Sequence, residues 1–348
     1  MSTKRITIVE VARAAGVDNS TVSLALRGDR RIAEQTRRRV ADVAQRLHYV
    51  PNQLASALSS GRSRVIGVML PGLENQFFAP HLEEFQAAAE LSRNAISIKC
   101  CDWDLKREEH GLSQFCESRV DGLIWCPAGG APEHIKAIVA RLHAAEIKFV
   151  ILGGPSKLGH LVTTSEDQAL KLGARYLVAL GHRRIGIATA TQVPGLRGAL
   201  HRNRLLRMRE ALQSAGVHVE NADIFDTADN EYGGVEFALS LRKRKPASRP
   251  TAIYAADDML ARAVVMGLRV VGIGVPSPVS VLGFDDAPRD ASGPVPITTV
   301  SLEARDNGRK AIALLLDLIA KRLPPTPFKT IRVSPRIVER ASCLGVSP

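Results

Sequence analysis

The segment from Ile6 to Pro71 constrains this chain more than any other part of its sequence. It begins ITIVEVARAAGVDNSTVSLALRG, continues through an arginine-rich stretch and ends RVIGVMLP. Apolar residues recur at helical spacing in two short stretches that a glycine separates, and a third helical stretch follows. A proline and a run of small polar residues then lead into an apolar strand. The pattern predicts a small helical module that a short linker joins to a larger domain.

Capping residues mark the ends of the first two helices. Thr7 and Glu10 form a capping-box pattern, and Gly16 supplies the left-handed residue that ends the first helix. Asp18 is placed to cap the second helix. The start of that helix carries small polar side chains, namely Asn19, Ser20, Thr21 and Ser23. Because this end of the second helix of a helix-turn-helix enters the major groove, these residues suit contact with base edges and phosphates.

Positive charge is concentrated in the same part of the chain. Residues 1–64 contain twelve Lys and Arg against five Asp and Glu, which gives +7 of the chain's formal +12. Phosphate contact and counterion release require such a patch. A surface helical hairpin without a ligand would explain the helices taken alone, but not the confinement of charge to one end. We therefore expect double-stranded DNA as the partner of this module.

Motifs along nearly the whole chain carry a resemblance to a known family. They include EVA at 10–12, AGV at 15–17, TVS at 21–23, VDGLI at 120–124, LGHRRI at 180–185 and GFDD at 283–286. In these motifs the chain resembles the lactose/galactose-repressor (LacI/GalR) family of bacterial transcription factors. The resemblance implies an N-terminal all-α helix-turn-helix DNA-binding module with a hinge helix. It also implies a C-terminal α/β two-lobed effector domain with a periplasmic-binding-protein-like fold.

The capping pattern and the resemblance together predict the DNA-contacting residues. They are Thr7, Asp18, Asn19, Ser20, Thr21, Ser23, Leu24, Arg27, Arg31, Tyr49, Asn52, Ala55 and Leu58. The resemblance implies that Leu58 of the hinge helix wedges into a central base step of the minor groove. Leu24 stands where many members have a longer polar reader, and Arg27, where Asn is frequent, is expected to contact phosphate. Ala33 replaces a usual Ser cap on the third helix, at a cost of about 1 kcal/mol.

The domain boundaries follow from the linker and from the alternation of elements beyond it. We expect a helix-turn-helix domain at 1–50, a hinge helix and linker at 51–63, and an effector-binding and dimerisation domain at 64–341. Apolar strands alternate with helical stretches in that last domain, which predicts parallel sheets. There are too many strands for one compact sheet of this type, so we expect two lobes.

The crossings between the lobes are placed by analogy with the family. We expect them near Thr163, Ser292 and Pro325. Lobe one then comprises about 64–163 and 293–325, and lobe two comprises about 164–292 and 326–341.

Polar and aromatic residues at strand ends predict an effector site in the cleft between the lobes. The candidates are Asn75, Phe77, Phe78, Arg204, Asp257 and Asp285. Arg204 and Asp285 rank first, because the resemblance implies that they hold effector oxygens and hydroxyl or NH groups, and a guanidinium suits bidentate hydrogen bonding. One of the two phenylalanines is expected to be ordinary core. One member of each acidic pair, at 257–258 and at 285–286, is expected to serve only capping or turn chemistry.

Gly153 affects the expected nature of the effector. Many family members carry an Asp at this position, which points into the cleft. We therefore expect a roomier pocket that suits a simple neutral hexose less well. The effector is expected to be a sugar derivative or another metabolite.

Two other function classes make demands that the sequence does not meet. An enzyme would need a catalytic motif, but no P-loop, H-E-x-x-H or G-x-S-x-G occurs, and the five cysteines lack metal-ligand spacing. We therefore expect no catalysis, no cofactor and no metal. A solute-binding protein for transport would explain residues 65–340 but not the basic first 64 residues, nor an N-terminus without an apolar signal segment. The expected protein is a cytoplasmic regulator, not bound to a membrane, that reads palindromic operator DNA as a homodimer.

Overall fold

The computed structural model describes residues 6–50, 62–74, 76–154, 158–227, 231–291 and 294–346. The chain divides into two compact units, Met1–Ser63 and Arg64–Pro348. Each unit has its own hydrophobic core. Residues 51–61, where the hinge helix is expected, lie outside the described residues. None of the helices in the described ranges combines the length and apolarity needed to cross a bilayer.

Three helices make up the described part of the small unit. They are α1 Ile8–Ala15, α2 Asn19–Leu26 and α3 Glu34–Arg46. Their inward faces meet in a core of small and branched side chains, namely Val11, Ala12, Ala15, Val22, Ala25, Val40, Val43 and Ala44. Gly16 ends α1 with a φ of 65°, a conformation in which a residue with a Cβ would be strained. Ala33 precedes α3 and forms no side-chain capping bond, because a methyl group cannot accept a hydrogen bond.

The first sheet of the large unit is parallel throughout. Its strands are β1 Val65–Leu70, β2 Ala95–Cys100, β3 Gly122–Trp125, β4 Lys148–Leu152, β5 His160–Thr164 and β11 Thr330–Val333. They lie in the order β11-β5-β4-β3-β1-β2. Its two faces are covered by α4 Ala79–Leu91, α5 Leu105–Glu117, α6 Pro132–Ala144 and α11 Ala304–Ile319. This sheet with its helices is lobe one.

The second sheet has one antiparallel edge. Its strands are β6 Ile185–Thr189, β7 Ile224–Asp226, β8 Ala252–Ala255, β9 Ser280–Asp285, β10 Thr298–Ser301 and β12 Arg336–Val338. The order is β12-β10-β9-β8-β6-β7, and only the β10–β12 pair is antiparallel among these described strands. Its two faces are covered by α7 Glu166–Ala179, α8 Gly195–Ser214, α9 Glu231–Arg242 and α10 Asp258–Val270. This sheet with its helices is lobe two.

The chain passes between the lobes three times, and two of the passages differ from expectation. The first follows β5 at Thr164. β10 still pairs with β9, so the return to lobe one follows Ser301 and not Ser292. β11 still pairs with β5, so the last passage follows Val333 and not Pro325. A strand belongs to the sheet with which its backbone forms hydrogen bonds. β10 and β11 are short and partly polar, so no apolar run in the sequence marks them as strands of these sheets.

A buried asparagine ties two of these passages together. The side-chain amide of Asn307 donates to the Thr164 hydroxyl at 2.8 Å and to the Leu302 carbonyl at 2.6 Å. The Thr164 hydroxyl in turn donates to the same carbonyl at 2.8 Å. The first and second passages therefore share one small hydrogen-bond network at the junction of the lobes.

Two glycines bring α9 and α10 into backbone contact. A Cβ on Gly234 would lie 2.0 Å from the carbonyl oxygen of Ala263, and a Cβ on Gly267 would lie 2.1 Å from that of Gly234. Both neighbours are backbone atoms, so no side-chain rotation can relieve the overlap. The helix pair therefore depends on glycine at both positions.

We expect Gly267→Ala to destabilise the protein by about 1–3 kcal/mol, the usual cost of overpacking. Helix propensity acts in the opposite direction, since alanine is favoured over glycine by about 1 kcal/mol in a helix interior. Urea unfolding followed by circular dichroism measures the difference. Gly345→Ala is the control, because its new Cβ would lie 3.6 Å from the Leu180 carbonyl oxygen. A Gly267→Ala protein as stable as the wild type would contradict the close contact.

Candidate functional site

Asp18 organises the exposed start of α2. Its carboxylate accepts the Thr21 backbone N–H at 2.8 Å and the Thr21 hydroxyl at 2.9 Å, and the Ser20 hydroxyl also donates to it. The bond from Ser20, followed by those from Thr21, lowers the pKa of Asp18 to about 2. The carboxylate is therefore charged at neutral pH, and it holds the side chains of residues 20 and 21 at the end of the helix where DNA contact is expected.

The remaining residues predicted to contact DNA on α2 differ in solvent exposure. Asn19 and Ser20 are exposed, whereas Ser23 and Leu24 are half-buried. The half-buried Arg27 donates from its guanidinium to the Ser23 hydroxyl. A partner that approaches the start of α2 would therefore reach Asn19 and Ser20 more readily than Ser23, Leu24 or Arg27.

Other predicted DNA-contacting residues have structural partners of their own. The backbone N–H and the hydroxyl of Thr7 donate to the Glu10 carboxylate at 2.7 and 3.0 Å. The exposed Arg31 pairs with Asp29, with Nη2 at 2.7 Å from Oδ2. Tyr49 is half-buried against the core of the small unit. Asn52, Ala55 and Leu58 lie outside the described residues.

Arg204 is the centre of a polar cluster near the carboxyl ends of the lobe-two strands. It is 5% exposed. Its Nη2 donates to Glu166 Oε1 at 2.7 Å and to Asp285 Oδ1 at 3.1 Å, and its Nε donates to the same Glu166 oxygen at 3.2 Å. Its Nη1 donates to the Ala256 carbonyl at 2.8 Å. The guanidinium carbon lies 4.5 Å from the centre of the Phe284 ring. Arg204 thus joins the segments that follow β5 and β8 to the end of β9.

Asp285 is buried and has an unusual backbone conformation. Its φ is 104°, a value that residues other than glycine rarely adopt. Burial raises the pKa of its carboxyl group to about 6, although Arg204 acts in the opposite direction. Strained positions of this kind cluster at functional sites, and this one places a carboxyl group directly beside the guanidinium.

The two carboxylate oxygens of Asp257 have different neighbours. One oxygen accepts the Leu260 N–H at 2.8 Å and caps α10. The other lies 4.0 Å from Nε2 of the buried His201. Asp257 is 4% exposed, and its charge acts on Asp285, the partner of Arg204, so it is part of the same buried polar region.

The second members of the two acidic pairs hold loops. Asp258 is completely buried and accepts the Ala287 N–H at 2.7 Å and the Thr299 hydroxyl at 2.6 Å. Asp286 pairs with Arg340 at 2.6 Å. These contacts connect the loop after β9 to β10 and to the C-terminal segment. Asp258 and Asp286 therefore hold the loop after β9, whereas the helix cap in the first acidic pair is Asp257.

The two phenylalanines after β1 occupy different environments. Phe78 is buried in the core of lobe one. Phe77 is half-buried and contacts the cores of both lobes. Its ring lies 5.0 Å from that of Phe78 at an interplanar angle of 70°. Asn75 lies outside the described residues, and the Cβ position of Gly153 has no atom within 4 Å.

Sequence reasoning missed two members of the polar cluster. Glu166 begins α7 directly after β5, a strand that the apolar pattern did not reveal. Tyr254 is fully buried in β8, and its hydroxyl has no hydrogen-bond partner among the described residues. Burial raises the pKa of this hydroxyl far above its ordinary value. An unpaired buried hydroxyl costs about 1–3 kcal/mol, and the only hint in the sequence is a tyrosine within a buried strand.

We expect the wild type to lose stability relative to Asp285→Asn as the pH rises from about 4.5 to about 7.5. The pKa of Asp285 in the folded protein, about 6, lies above its ordinary value of 3.8. The folded state therefore binds this proton more tightly than the unfolded state, and that stabilisation disappears as the pH rises through about 6. Urea unfolding at both pH values measures the difference.

The neighbouring substitution Asp286→Asn controls for the loss of one carboxylate beside the cleft. If the wild type gained stability over Asp285→Asn on going to the higher pH, the assignment of a raised pKa to Asp285 would be wrong.

Two protein-family profiles match the chain. "Bacterial regulatory proteins, lacI family" matches residues 7–52, and "Periplasmic binding protein-like domain" matches residues 174–343. The first match covers α1 and α2 with most of the small unit. The second covers most of lobe two and returns through α11 of lobe one.

Relatives and solved structures agree with these matches. The chain is 30% identical over 308 residues to the HTH-type transcriptional regulator DegA of Bacillus subtilis (strain 168), with 87% of this chain and 88% of that protein covered. It is 29% identical to the HTH-type transcriptional repressor PurR of Proteus mirabilis (strain HI4320), with 97% and 96% covered.

The Lac repressor dimer bound to operator and the anti-inducer ONPF has the same fold, with a TM-score of 0.80, 21% identity, and 98% of this chain and 100% of that chain covered. The chain therefore belongs to the lacI family of bacterial regulatory proteins, and it is a DNA-binding transcriptional regulator with a periplasmic-binding-protein-like effector domain.

Proposed function

We propose that the protein binds a palindromic operator duplex as a homodimer and represses transcription, and that a small effector in the cleft controls this binding. The observation that carries the proposal is the exposed start of α2, where Asn19 and Ser20 stand free of the core in a strongly basic unit. Base edges and phosphates are the partners of such side chains. A single reading helix binds weakly, so a two-fold dimer on paired half-sites follows.

The residues of the small unit divide into readers, supports and phosphate contacts. Asn19 suits bidentate contact with adenine, and Leu24 suits contact with a thymine methyl. Asp18 supports them by holding the helix end. Arg27 and Arg31 suit phosphate contact, and Arg31 would then exchange Asp29 for a phosphate oxygen. The roles proposed for Asn52, Ala55 and Leu58 rest on the family resemblance.

Exposed apolar side chains on two packed helices of lobe two suit the proposed dimer. Leu239 on α9 is 47% exposed, and Met266 and Val270 on α10 are 46% and 71% exposed. Transfer of these side chains from water into an interface would favour association by about 25 cal/mol for each Å² buried. Because α9 and α10 are in close backbone contact, we expect them to hold these side chains in fixed relative positions.

The charges of the cleft favour an effector that donates hydrogen bonds. Glu166 and Asp285 pair with the guanidinium of Arg204, and Asp257 supplies a third carboxyl group beside His201. A phosphate or carboxylate would meet more negative than positive charge there, whereas hydroxyl and amine groups would find acceptors. Regulators of this fold have been solved with cellobiose and with ribose, and such hydroxyl-rich ligands fit this chemistry.

We infer that the protein acts in the cytoplasm and is not an enzyme. Its named relatives are transcriptional regulators and repressors, and operator DNA is found in that compartment. The buried polar residues of the cleft then serve recognition of the effector and not turnover.

Fluorescence anisotropy on the DNA upstream of the protein's own coding region tests the proposal. We expect saturable binding that is tighter than binding to random DNA. With about six to ten phosphate contacts, affinity should fall by roughly three to five powers of ten between about 50 and 200 mM salt. Failure to exceed random DNA, both on this fragment and in a selection from the whole genome, would contradict the proposed function.

Substitution of Asn19 tests whether α2 reads bases. Asn19→Ala should weaken operator binding by about 1–3 kcal/mol and weaken binding to random DNA much less. Gln35→Ala, on the exposed face of α3 in the same unit, is the matched control. Equal losses on operator and random DNA would show that Asn19 positions the protein and does not read sequence.

A further inference from the structure

We propose that lobe one carries a second small-molecule site, specific for an aromatic acid, at the edge of its sheet opposite to the cleft. The site is a cavity of about 510 Å³ beside the first residues of β4 and β5 and the last turns of α6 and α11. β4 and β5 are parallel, so their amino ends lie at one edge and the carboxyl ends that face the cleft lie at the other. The volume falls within the range of small-molecule sites, roughly 300–1,000 Å³.

The walls of the cavity are mainly apolar and aromatic. Phe149 and Phe328 contribute rings, and Ile147, Leu318 and Pro325 contribute aliphatic surface. Ile147, Phe149 and Leu318 are buried parts of the lobe-one core, whereas Pro325 and Phe328 belong to the segment before β11. Aromatic side chains favour offset or edge-on contact with a flat ring. The shape and lining therefore suit a planar aromatic body.

The charged residues of the cavity determine which aromatic ligand fits. Lys148 is half-buried at the start of β4, and Lys321 is exposed just after α11. Glu146 is exposed and is the one carboxylate among the lining residues. Two ammonium groups against one carboxylate favour a ligand with one negative charge. A carboxylate on a flat ring matches both the walls and the charges.

The buried His160 holds the part of the wall formed by the segment before β11 through hydrogen bonds. Nδ1 of His160 accepts the Lys329 N–H at 3.0 Å, so Nε2 carries the proton and donates to the Pro325 carbonyl at 3.2 Å. The ring is edge-on to Phe328, with centroids 5.7 Å apart. Burial lowers the pKa of His160, which keeps the ring neutral. The segment that forms this wall is therefore attached to β5 before any ligand arrives.

A second part of the wall is held by close packing. A Cβ on Gly159 would lie 2.5 Å from Cε2 of Phe149, so the ring packs directly on the glycine backbone. His143 contacts the same ring edge-on, with centroids 5.4 Å apart. Phe149 thus has neighbours on two sides that restrict its rotation. A preformed cavity of this kind requires little ordering on binding, which favours affinity.

Three probes of similar size and different charge test the site by calorimetry on the full-length protein. They are 1-naphthoate, the neutral 1-naphthamide and the cationic 1-naphthylmethylammonium. We expect one naphthoate to bind per chain, roughly three- to fivefold more tightly than the amide, since exposed charge pairs contribute modestly. The cation should bind most weakly. Absence of saturable naphthoate binding, or a preference for the cation, would overturn the proposal.

Substitutions locate the binding. Lys321→Glu should abolish the preference for naphthoate over the amide, and Phe328→Ala should weaken both probes. Lys106→Glu changes the net charge equally at an exposed position on α5, outside the cavity, and should leave binding unchanged. Thermal unfolding of each variant checks that it is folded. Naphthoate binding that survives both cavity substitutions would place the probe elsewhere and overturn the proposal. Operator binding is measured separately and is independent of this result.

Discussion

The buried guanidinium of Arg204 is the interaction on which the arrangement of the cleft depends. A charge removed from water is costly unless it is paired and fully hydrogen-bonded. Here Glu166, Ala256 and Asp285 accept its hydrogen bonds, and Phe284 lies against its face. These partners belong to three separate segments of the chain. Loss of any carboxylate would leave the buried charge partly uncompensated, so the three segments hold one another in place.

The partners of Arg204 are not equally accessible to a ligand. The Glu166 side chain is 28% exposed, whereas that of Asp285 is 3% exposed. An effector that bonds to Arg204 therefore exchanges most readily with Glu166. Glu166 begins α7 directly after the first passage between the lobes, so such an exchange acts on the passage itself. A ligand that binds one arrangement of this segment better shifts the population of lobe arrangements.

Local signals predicted the small helical unit and the alternation of strands and helices in the large unit. The helix ends have the expected geometry: Gly16 is left-handed, Asp18 caps α2, and Ala33 provides no side-chain cap for α3. Helix ends can be predicted in this way because they depend on residues that are close in sequence. Strands β1 and β8 coincide with uninterrupted apolar runs of the sequence. The passages after β10 and β11 were misplaced, and Glu166 and Tyr254 were missed. These features depend on pairing and burial between distant segments, which periodicity in one sequence does not report.

The same first passage is held by a second polar contact on its other side. Thr164, two residues before Glu166, is bonded to Leu302 and to the buried Asn307. Hydrogen bonds of this length weaken steeply when their geometry is distorted. A rotation of the lobes that moves Thr164 away from Leu302 and Asn307 would therefore break these hydrogen bonds. Glu166 pairs with Arg204 in the cleft and Thr164 is bonded to the second passage. The three residues from Thr164 to Glu166 therefore connect the cleft to the hydrogen-bond network at the junction of the lobes.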